Sequence, residues 1–353
     1  MRSNYKKLGG NIRPVDIRNS DNALGEANLY GISVTKEFIV SHANLVGVTF
    51  DSYKIVSPRQ FAYIPDTSRR GDKIAISLNS FGERIIVSSI CSVFEITDEN
   101  ELLPEYLMLW FMRPEFDRYA RFMSNGSARE VFDWDCMCDV ELPVPAVDEQ
   151  RKIVHDYQVI HERSNLLRKL AKQLEEVCNT QFDKLSKIAS QRGQSHLECF
   201  MSFGNGKSRP LSLGNIPVYG GNGIMSYTDK SNAENVTIIG RVGAYCGSVY
   251  IEKEQCWISD NAIIAKSTIA DEEYFDFCLL KSMNLFTHHV GTGQQLLTQS
   301  ILNAIPCPAF SEEDINTFNR YMKPIFKGLL RYKTEMEHLE TFQQLLLSAL
   351  AKH

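Results

Sequence analysis

The side chains of this sequence that could take part in specific chemistry lie in loops rich in glycine, asparagine and glutamine. Arginine and lysine donate hydrogen bonds to guanine, asparagine and glutamine pair with adenine, and basic or hydroxyl side chains contact phosphates. The candidates for nucleic-acid contact are Lys54, Arg59, Arg69, Arg70, Asn79, Arg129, Lys207, Arg209, Tyr219, Asn222, Arg241, Gln294 and Gln295. A lone surface arginine or lysine is more often only solvated. The strongest candidates are therefore Arg241, which follows a glycine in a glycine-rich turn, and the adjacent Gln294 and Gln295.

Motifs for catalysis and metal binding are missing from the sequence. There is no G-x-x-x-x-G-K-[ST], and residues 220–223 have neither the spacing nor the strand-to-helix context of a dinucleotide site. The Asn/Asp-Pro-Pro-aromatic tetrapeptide of amino-methyltransferases is missing, as are serine hydrolase, kinase and protease signatures. His288 and His289 form the only histidine pair, without cysteines or carboxylates at metal-ligand spacing. We therefore expect no catalytic residue, metal or cofactor in this chain.

Composition sets the broad class of the protein. A chain of 353 residues with 43% hydrophobic residues can form two or three domains with substantial cores. Its nine cysteines include no C-x-x-C pair, and no apolar run reaches the roughly 18 residues that a membrane span needs. The net charge of −5 argues against a uniformly basic surface but permits local basic faces. We expect reduced thiols, a cytoplasmic location and no membrane association.

One long helix is predicted at residues 148–190, between the two groups of candidate residues. Pro143 and Pro145 precede it, and Asp148 can cap its N-terminus. A seam for a partner helix is indicated by apolar residues that recur every seven positions: Ile153, Ile160, Leu167, Leu174 and, after an interruption at Gln181, Ile188. At about 1.5 Å per residue the helix would span roughly 65 Å, which suits a spacer.

The partner helix is predicted in the same chain, near residues 310–350. Pro306 and Pro308 repeat Pro143 and Pro145 at an offset of 163 residues. Its seam is predicted to include Ile325, Leu329, Tyr332 and Met336. Pro324 should kink or restart this helix. Residues 312–315 differ from their counterparts after the first Pro-x-Pro, so the sequence leaves the start of the second helix open.

These patterns predict a mixed α/β (α+β) fold built from an internal repeat. The domains are expected at residues 1–142 and 191–305, and the helices at 143–190 and 306–353. A second helix that packs along the first must run back antiparallel to it. The expected architecture is therefore two globular domains separated by an antiparallel coiled-coil pair, with a pseudo-twofold relation between the halves.

Several segments resemble the specificity subunit of type I restriction-modification systems. LPVPAVDEQRKIV, with its partial repeat near the C-terminus, resembles the conserved regions of that family, and NIPVYGGNGIMSY, IIGRVGAYCGSVYI and WISDNAIIA resemble its target-recognition domain. The resemblance implies a non-catalytic DNA-binding subunit with two target-recognition domains. Each domain would recognise one half of a bipartite target, and the helices would set the spacer and dock methyltransferase subunits.

The partners that the resemblance implies are double-stranded DNA, two methyltransferase subunits and, in systems that cleave, restriction subunits. The methyl donor and ATP with Mg²⁺ would belong to those partners rather than to this chain. Two alternatives stay open from the sequence. One is a coiled-coil scaffold that does not bind DNA, and the other is a self-contained DNA methyltransferase or nuclease.

Overall fold

A computed structural model describes residues 5–41, 47–68, 70–71, 73–124, 130–269, 274–291 and 293–352 of the chain. The chain divides into two compact units. The first unit comprises residues 1–166 and 336–353, and the second comprises residues 167–335. Two long helices contribute residues to both units. The four predicted domain boundaries stay predictions.

The first unit combines short strands with three short helices before the first long helix. Its elements in chain order are β1 (Tyr5–Lys7), β2 (Ile12–Val15), β3 (Tyr30–Ile32), β4 (Phe38–Val40), β5 (Lys54–Val56), β6 (Phe61–Ile64), β7 (Ala75–Leu78), β8 (Ile85–Val87), β9 (Ser92–Ile96), α1 (Pro104–Phe111), α2 (Pro114–Met123), α3 (Trp134–Cys138), β10 (Glu141–Pro143) and the long α4 (Val147–Arg192).

Strand β6 lies inside a four-stranded antiparallel sheet of order β2-β9-β6-β7. All four of its residues are buried because both faces of the strand are covered. Phe61 and Tyr63 belong to one hydrophobic cluster, whereas Ala62 and Ile64 belong to another. This alternation follows from the two-residue period of a strand, in which successive side chains point to opposite faces.

The second unit repeats this order of elements after α4. They are β11 (Gln194–His196), β12 (Met201–Asn205), β13 (Ile216–Gly220), β14 (Gly223–Thr228), β15 (Val236–Gly240), β16 (Val249–Glu252), β17 (Trp257–Ile258), β18 (Ala262–Ser267), α5 (Tyr274–Ser282), α6 (Gln299–Asn303), β19 (Pro306–Pro308) and the long α7 (Glu312–Ala349).

The sheets of the second unit have the same strand order as those of the first. Strands β12-β18-β15-β16 match β2-β9-β6-β7, and the pair β11-β19 matches β1-β10. Strand β13 pairs with β14 antiparallel and with β17 in parallel, and the first unit has a corresponding parallel bridge between Leu29 and Ile86. The expected α/β fold with an internal repeat is confirmed.

The register of the repeat differs from the one predicted. Leu8 N donates to Val140 O at 2.8 Å, and Leu197 N donates to Ile305 O at 3.1 Å. Val140 and Ile305 are therefore equivalent, which gives an offset of 165 residues rather than 163. Pro143 then corresponds to Pro308, and each pairs with the N-terminal strand of its own unit. The predicted offset is wrong because strand pairing, and not the most similar pair of prolines, sets the register.

The start of α7 is set by a capping box. Asp314 N donates to the Ser311 hydroxyl at 3.2 Å, and Ser311 N donates to a carboxylate oxygen of Asp314 at 3.0 Å. These reciprocal bonds satisfy backbone donors that a helix N-terminus otherwise leaves unpaired. Asp148, which we expected to cap α4, instead lies in the first turn of that helix.

Helix α7 continues through Pro324, so the helix does not restart there, and the predicted kink stays a prediction. Pro324 lies on the exposed side of the helix. The carbonyl of Arg320, which loses its backbone donor to the proline ring, can be hydrated there, and this reduces the cost of an internal proline.

The two long helices pack antiparallel within each unit. In the second unit Arg192 forms an ion pair with Asp314, and Leu174 lies 3.7 Å from the position of a Cβ added to Gly328. In the first unit His161 and Gln343 make a side-chain contact of 3.4 Å. Of the eight predicted seam residues Leu167 is fully buried, and the others are half-buried: Ile153, Ile160, Leu174, Ile325, Leu329, Tyr332 and Met336.

The seam of α4 drifts away from a strict seven-residue repeat after Leu174. The buried residues that follow are Cys178, Phe182 and Ala189, whereas Ile188, expected in the seam, is 51% exposed. A straight α-helix has 3.6 residues per turn and therefore rotates by about 20° per heptad relative to a 3.5-residue repeat. The extension of the seam to Ile188 is wrong for this reason.

Two negative findings concern the described part of the chain alone. Within it, no group of three or more histidine, cysteine or acidic side chains could hold a metal ion. None of the helices described is long and apolar enough to cross a membrane.

Replacement of Ser311 with alanine should lower the free energy of unfolding by about 1 kcal/mol, because the cap of α7 is lost. Urea denaturation followed by circular dichroism measures this change. Ser348→Ala in the same helix is the control, because Ser348 donates only to the carbonyl of Gln344 within the turn. Equal effects of the two substitutions would contradict the role of the capping box.

Candidate nucleic-acid interface

The loop that follows β15 lies against the loop that precedes α6. Leu297 N donates to Arg241 O at 2.9 Å, and Gly243 N donates to Gln295 O at 3.0 Å. These bonds form an antiparallel bridge between Val242 and Leu296. Arg241 and Gln295, 54 positions apart in the sequence, are thereby brought to one place.

Two tight turns complete this arrangement. Arg241 N donates to Asn261 O at 3.0 Å, which adds the turn at residues 259–261. A Cβ added to Gly240 would lie 2.2 Å from Tyr245 O and 2.8 Å from Gly221 O, so the tip of the β13–β14 hairpin also packs here. We call residues 220–223, 240–247, 259–261, 290–291 and 293–297 the loop cluster. Asn222 and Gln294 are exposed within it.

The Arg241 side chain is half-buried in the loop cluster. Its Nε is buried and has no hydrogen-bond partner in the part of the chain that the structure describes. An unpaired buried donor costs free energy that a hydrogen-bond acceptor from a ligand would recover. The guanidinium group of Arg241 is of the kind that donates hydrogen bonds to a guanine edge or to a phosphate oxygen.

Lys207 lies beside the loop cluster. Its backbone N donates to Ile258 O at 3.0 Å, and its carbonyl accepts from Trp257 Nε1 at 3.3 Å. Gly206 permits this approach, since a Cβ there would lie 1.9 Å from Ser259 O. The side chains of Lys207 and Arg209 are both exposed.

Two residues that the sequence reasoning missed are also exposed in the loop cluster. The Tyr245 side chain is 51% exposed, and its backbone is closely packed against Gly240. An aromatic ring in this position offers a stacking or hydrogen-bonding surface. Asp260 is exposed in the turn at residues 259–261, and a carboxylate can accept a hydrogen bond from cytosine N4. The sequence could have indicated Tyr245 as a candidate, because it lies between Gly243 and Gly247 in a glycine-rich turn.

The same backbone bonds occur in the first unit. In the second unit they join Leu297 N to Arg241 O (2.9 Å), Gly243 N to Gln295 O (3.0 Å) and Cys246 N to Gly243 O (2.9 Å). In the first unit they join Phe132 N to Pro65 O (2.9 Å), Thr67 N to Glu130 O (3.1 Å) and Arg70 N to Thr67 O (3.3 Å). The loop after β6 is thus the counterpart of the loop after β15.

This equivalence places Glu130 at the position of Gln295. In chain order Arg129 and Arg69 then correspond to Gln294 and Tyr245, but both arginines lie outside the described residues. Arg70 is half-buried, and its Nε is also buried without a partner among the described residues. The equivalent loops of both units therefore carry an arginine with an unpaired Nε.

Two candidate residues of the first unit are engaged in ion pairs. Arg59 contacts Glu99 at 2.6 Å and Glu105 at 2.5 Å. The hydrogen bonds that Arg59 donates to Glu99 and Glu105 raise the pKa of Arg59. Lys54 contacts Asp16 at 3.1 Å, and this contact lowers the pKa of Asp16. Base or phosphate contacts by Arg59 would compete with two carboxylates.

Asn79 and Tyr219 require a correction, because both side chains are buried. Asn79 is 1% exposed, and its amide donates to Val56 O at 2.9 Å and to Glu83 O at 3.0 Å. The Tyr219 hydroxyl donates to Glu252 at 2.9 Å, and burial raises the pKa of Tyr219. Their polar groups hold the protein's own loops and strands and do not face solvent.

Comparison with known proteins identifies the domain that carries the loop cluster. Residues 207–321 match the family model described as "Type I restriction modification DNA specificity domain". A crystal structure of a type I restriction-modification S subunit from M. genitalium is similar in fold, with a TM-score of 0.71 at 16% identity over 98% of this chain and 95% of that chain.

Two further solved structures match at 16% identity. One comes from work on complex assembly and conformational transition of the type I R-M system. The match covers 98% of this chain and 96% of that chain, with a TM-score of 0.44. The other, the HsdS subunit from Thermoanaerobacter tengcongensis, has the same coverages and a TM-score of 0.40. Among curated proteins no match to this chain is found.

Replacement of Gly240 with alanine should lower the free energy of unfolding by about 1–3 kcal/mol, because the added methyl overpacks the loop cluster. Thermal unfolding measures the loss, and amide hydrogen exchange should show faster exchange at residues 241–247. Gly293→Ala is the matched control, since its Cβ would meet no atom within 4 Å. If Gly240→Ala were as well tolerated as the control, the close packing of the cluster would be refuted.

Proposed function

We propose that this chain is a specificity subunit of a type I restriction-modification system and that it recognises a bipartite DNA target; its specificity domain and its fold support this proposal. The observation that carries this proposal is the loop cluster within the matched residues 207–321. It gathers Asn222, Arg241 and Gln295 beside the exposed cation of Lys207, and Arg209 is exposed two positions further along the chain.

The contacts that we propose divide into two kinds. Lys207 and Arg209 contact phosphates, which gives salt-dependent binding with little sequence preference. Arg241 donates to guanine, and Asn222 and Gln295 pair with adenine, because their side chains match the hydrogen-bonding groups of those bases in the major groove. The base contacts then determine specificity, and the phosphate contacts attach the protein to DNA.

Each unit would recognise one half of the target. The equivalent loops of the two units make the same three backbone bonds but present different residues, Glu130 in one and Gln295 in the other. Glutamate only accepts hydrogen bonds, whereas glutamine both donates and accepts. Different bases in the two half-sites are the expected consequence of this difference.

Catalysis is assigned here to partner subunits. We propose that methyltransferase subunits supply the methyl donor and that restriction subunits, where present, supply ATP-driven cleavage, because the specificity domain matches a DNA-specificity family. The target adenine would be flipped into the partner's pocket for methylation. A cytoplasmic location follows from this role. The alternatives of a scaffold or a self-contained enzyme gain no support from the specificity domain.

Apolar side chains on the outer faces of the long helices support docking of the methyltransferase subunits. On α4, Leu166 is 58% exposed and Leu170 is 43% exposed. On α7, Phe342 and Leu345 are similarly exposed. Exposed apolar residues at helical spacing favour a helical partner, because packing against it would remove them from water.

Arg241→Ala should weaken binding to one half-site by roughly 5- to 150-fold, since a bidentate base contact contributes about 1–3 kcal/mol of discrimination. The measurement is competition binding by the assembled methyltransferase complex, with duplexes altered in one half-site at a time. Arg320→Ala removes the same charge from an exposed position on α7 and is the control. Equal loss at both half-sites would exclude recognition by separate domains.

A heptad inserted into both long helices should lengthen the tolerated spacer by about three base pairs, since seven residues add about 10 Å of helix. The contacts of Leu174 with Gly328 and of His161 with Gln343 make insertions after Leu170 and after Lys333 opposite each other. Spacer preference is measured by methylation of a duplex series with graded spacers. The same insertion in α4 alone is the control, because it shifts the contacting residues of α4 relative to those of α7. An unchanged preference in the double insertion would rule out spacer setting by the helices.

A further inference from the structure

The two most exposed large apolar residues that the structure describes lie in the segment between β12 and β13. Leu211 is 97% exposed and Leu213 is 89% exposed. Isolated surface leucines need no explanation, but two almost fully exposed leucines separated by one residue form a ridge. We call residues 207–213 the leucine segment.

The leucine segment is held in place by its own polar contacts. The Ser212 hydroxyl lies 3.1 Å from the Thr228 hydroxyl and also donates to the Asp229 carboxylate. Gly214 packs so closely that an added Cβ would lie 2.4 Å from the backbone of Thr228 and of Asp229. Because Ser212 faces the protein, its neighbours Leu211 and Leu213 are held outward.

The charge around the leucines favours a polyanionic partner. Residues 205–215 contain Lys207 and Arg209 and no acidic residue. Both cations are exposed, and Lys207 also contacts strand β17 beside the loop cluster. The acidic Asp229 accepts a hydrogen bond from Ser212 and is followed by the exposed Lys230. A protein partner would need no cations here, whereas DNA would.

Proteins that bend DNA insert apolar side chains between base steps, with flanking cations on the phosphates. We propose that Leu211 and Leu213 insert between base steps of the half-site bound by the second unit, while Lys207 and Arg209 contact the adjacent phosphates. This inference rests on the proposed function, because it requires that the loop cluster binds DNA. Partial unstacking would open the base step on the side of the leucines, would bend the half-site away from that side and would add sequence preference at flexible steps.

The test uses the full chain assembled with its methyltransferase subunits and a duplex that the wild-type complex selects from a randomised library. 2-Aminopurine at successive positions of the duplex reports unstacking, and fluorescence energy transfer between the DNA ends reports bending. The variant is Leu211→Ser with Leu213→Ser, and the control is Leu211→Met with Leu213→Met. Neither change should impair folding, because both side chains are exposed.

The serine variant should lose the bend and the 2-aminopurine signal at one step and should bind about tenfold more weakly. The salt dependence of DNA binding by the serine variant should equal that of the wild type, since Lys207 and Arg209 remain. The methionine variant should retain the bend and the signal. Adenine flipping by the methyltransferase can also give a 2-aminopurine signal. That signal would persist in both variants, which distinguishes it from unstacking by the leucines.

Three outcomes would overturn the proposal. If the serine variant keeps affinity and bend, the insertion is refuted while recognition of DNA by the loop cluster stands. If native mass spectrometry shows that the serine variant no longer assembles with the methyltransferase, the leucines contact protein instead. If the wild-type complex selects no sequence from the library, the proposed function itself fails.

Discussion

Burial of both faces of the central strands is the constraint on which the loops that we propose to bind DNA depend. In β6 and in β15, every residue is buried, and alternate side chains enter different hydrophobic clusters. A shift of the register by one residue would exchange the two sets of side chains, so the register is strongly specified. The end of each strand is therefore fixed, and the loop that follows it leaves the sheet at a defined place.

The next constraint is the backbone of the loops themselves. Buried N–H and C=O groups must be paired, and the loop after each central strand pairs with the loop before α3 or α6. Because backbone groups make this pairing, it does not require a particular side chain at positions such as Arg241. A fold with this property suits recognition of many targets, because specificity can change while backbone contacts stay the same.

The long helices serve a different purpose from the sheets. Their contacting faces are mostly half-buried, and apolar residues such as Leu170 and Phe342 remain exposed on other faces. At the start of α7 the capping box at Ser311 and the Arg192–Asp314 ion pair hold the end of the helix. Exposed apolar area is left for the subunits that we propose to dock there.

The sequence by itself determined the two long helices, the internal repeat and the mixed α/β class, because heptad spacing and short apolar runs are local patterns. It also singled out Arg241 and Gln295. Only the tertiary structure decided that these two residues lie together, since a backbone hydrogen bond between distant loops produces no pattern in the sequence of either loop. It likewise decided that Asn79 and Tyr219 are buried and that the repeat has an offset of 165, because burial and strand register depend on the pairing of residues far apart in the chain.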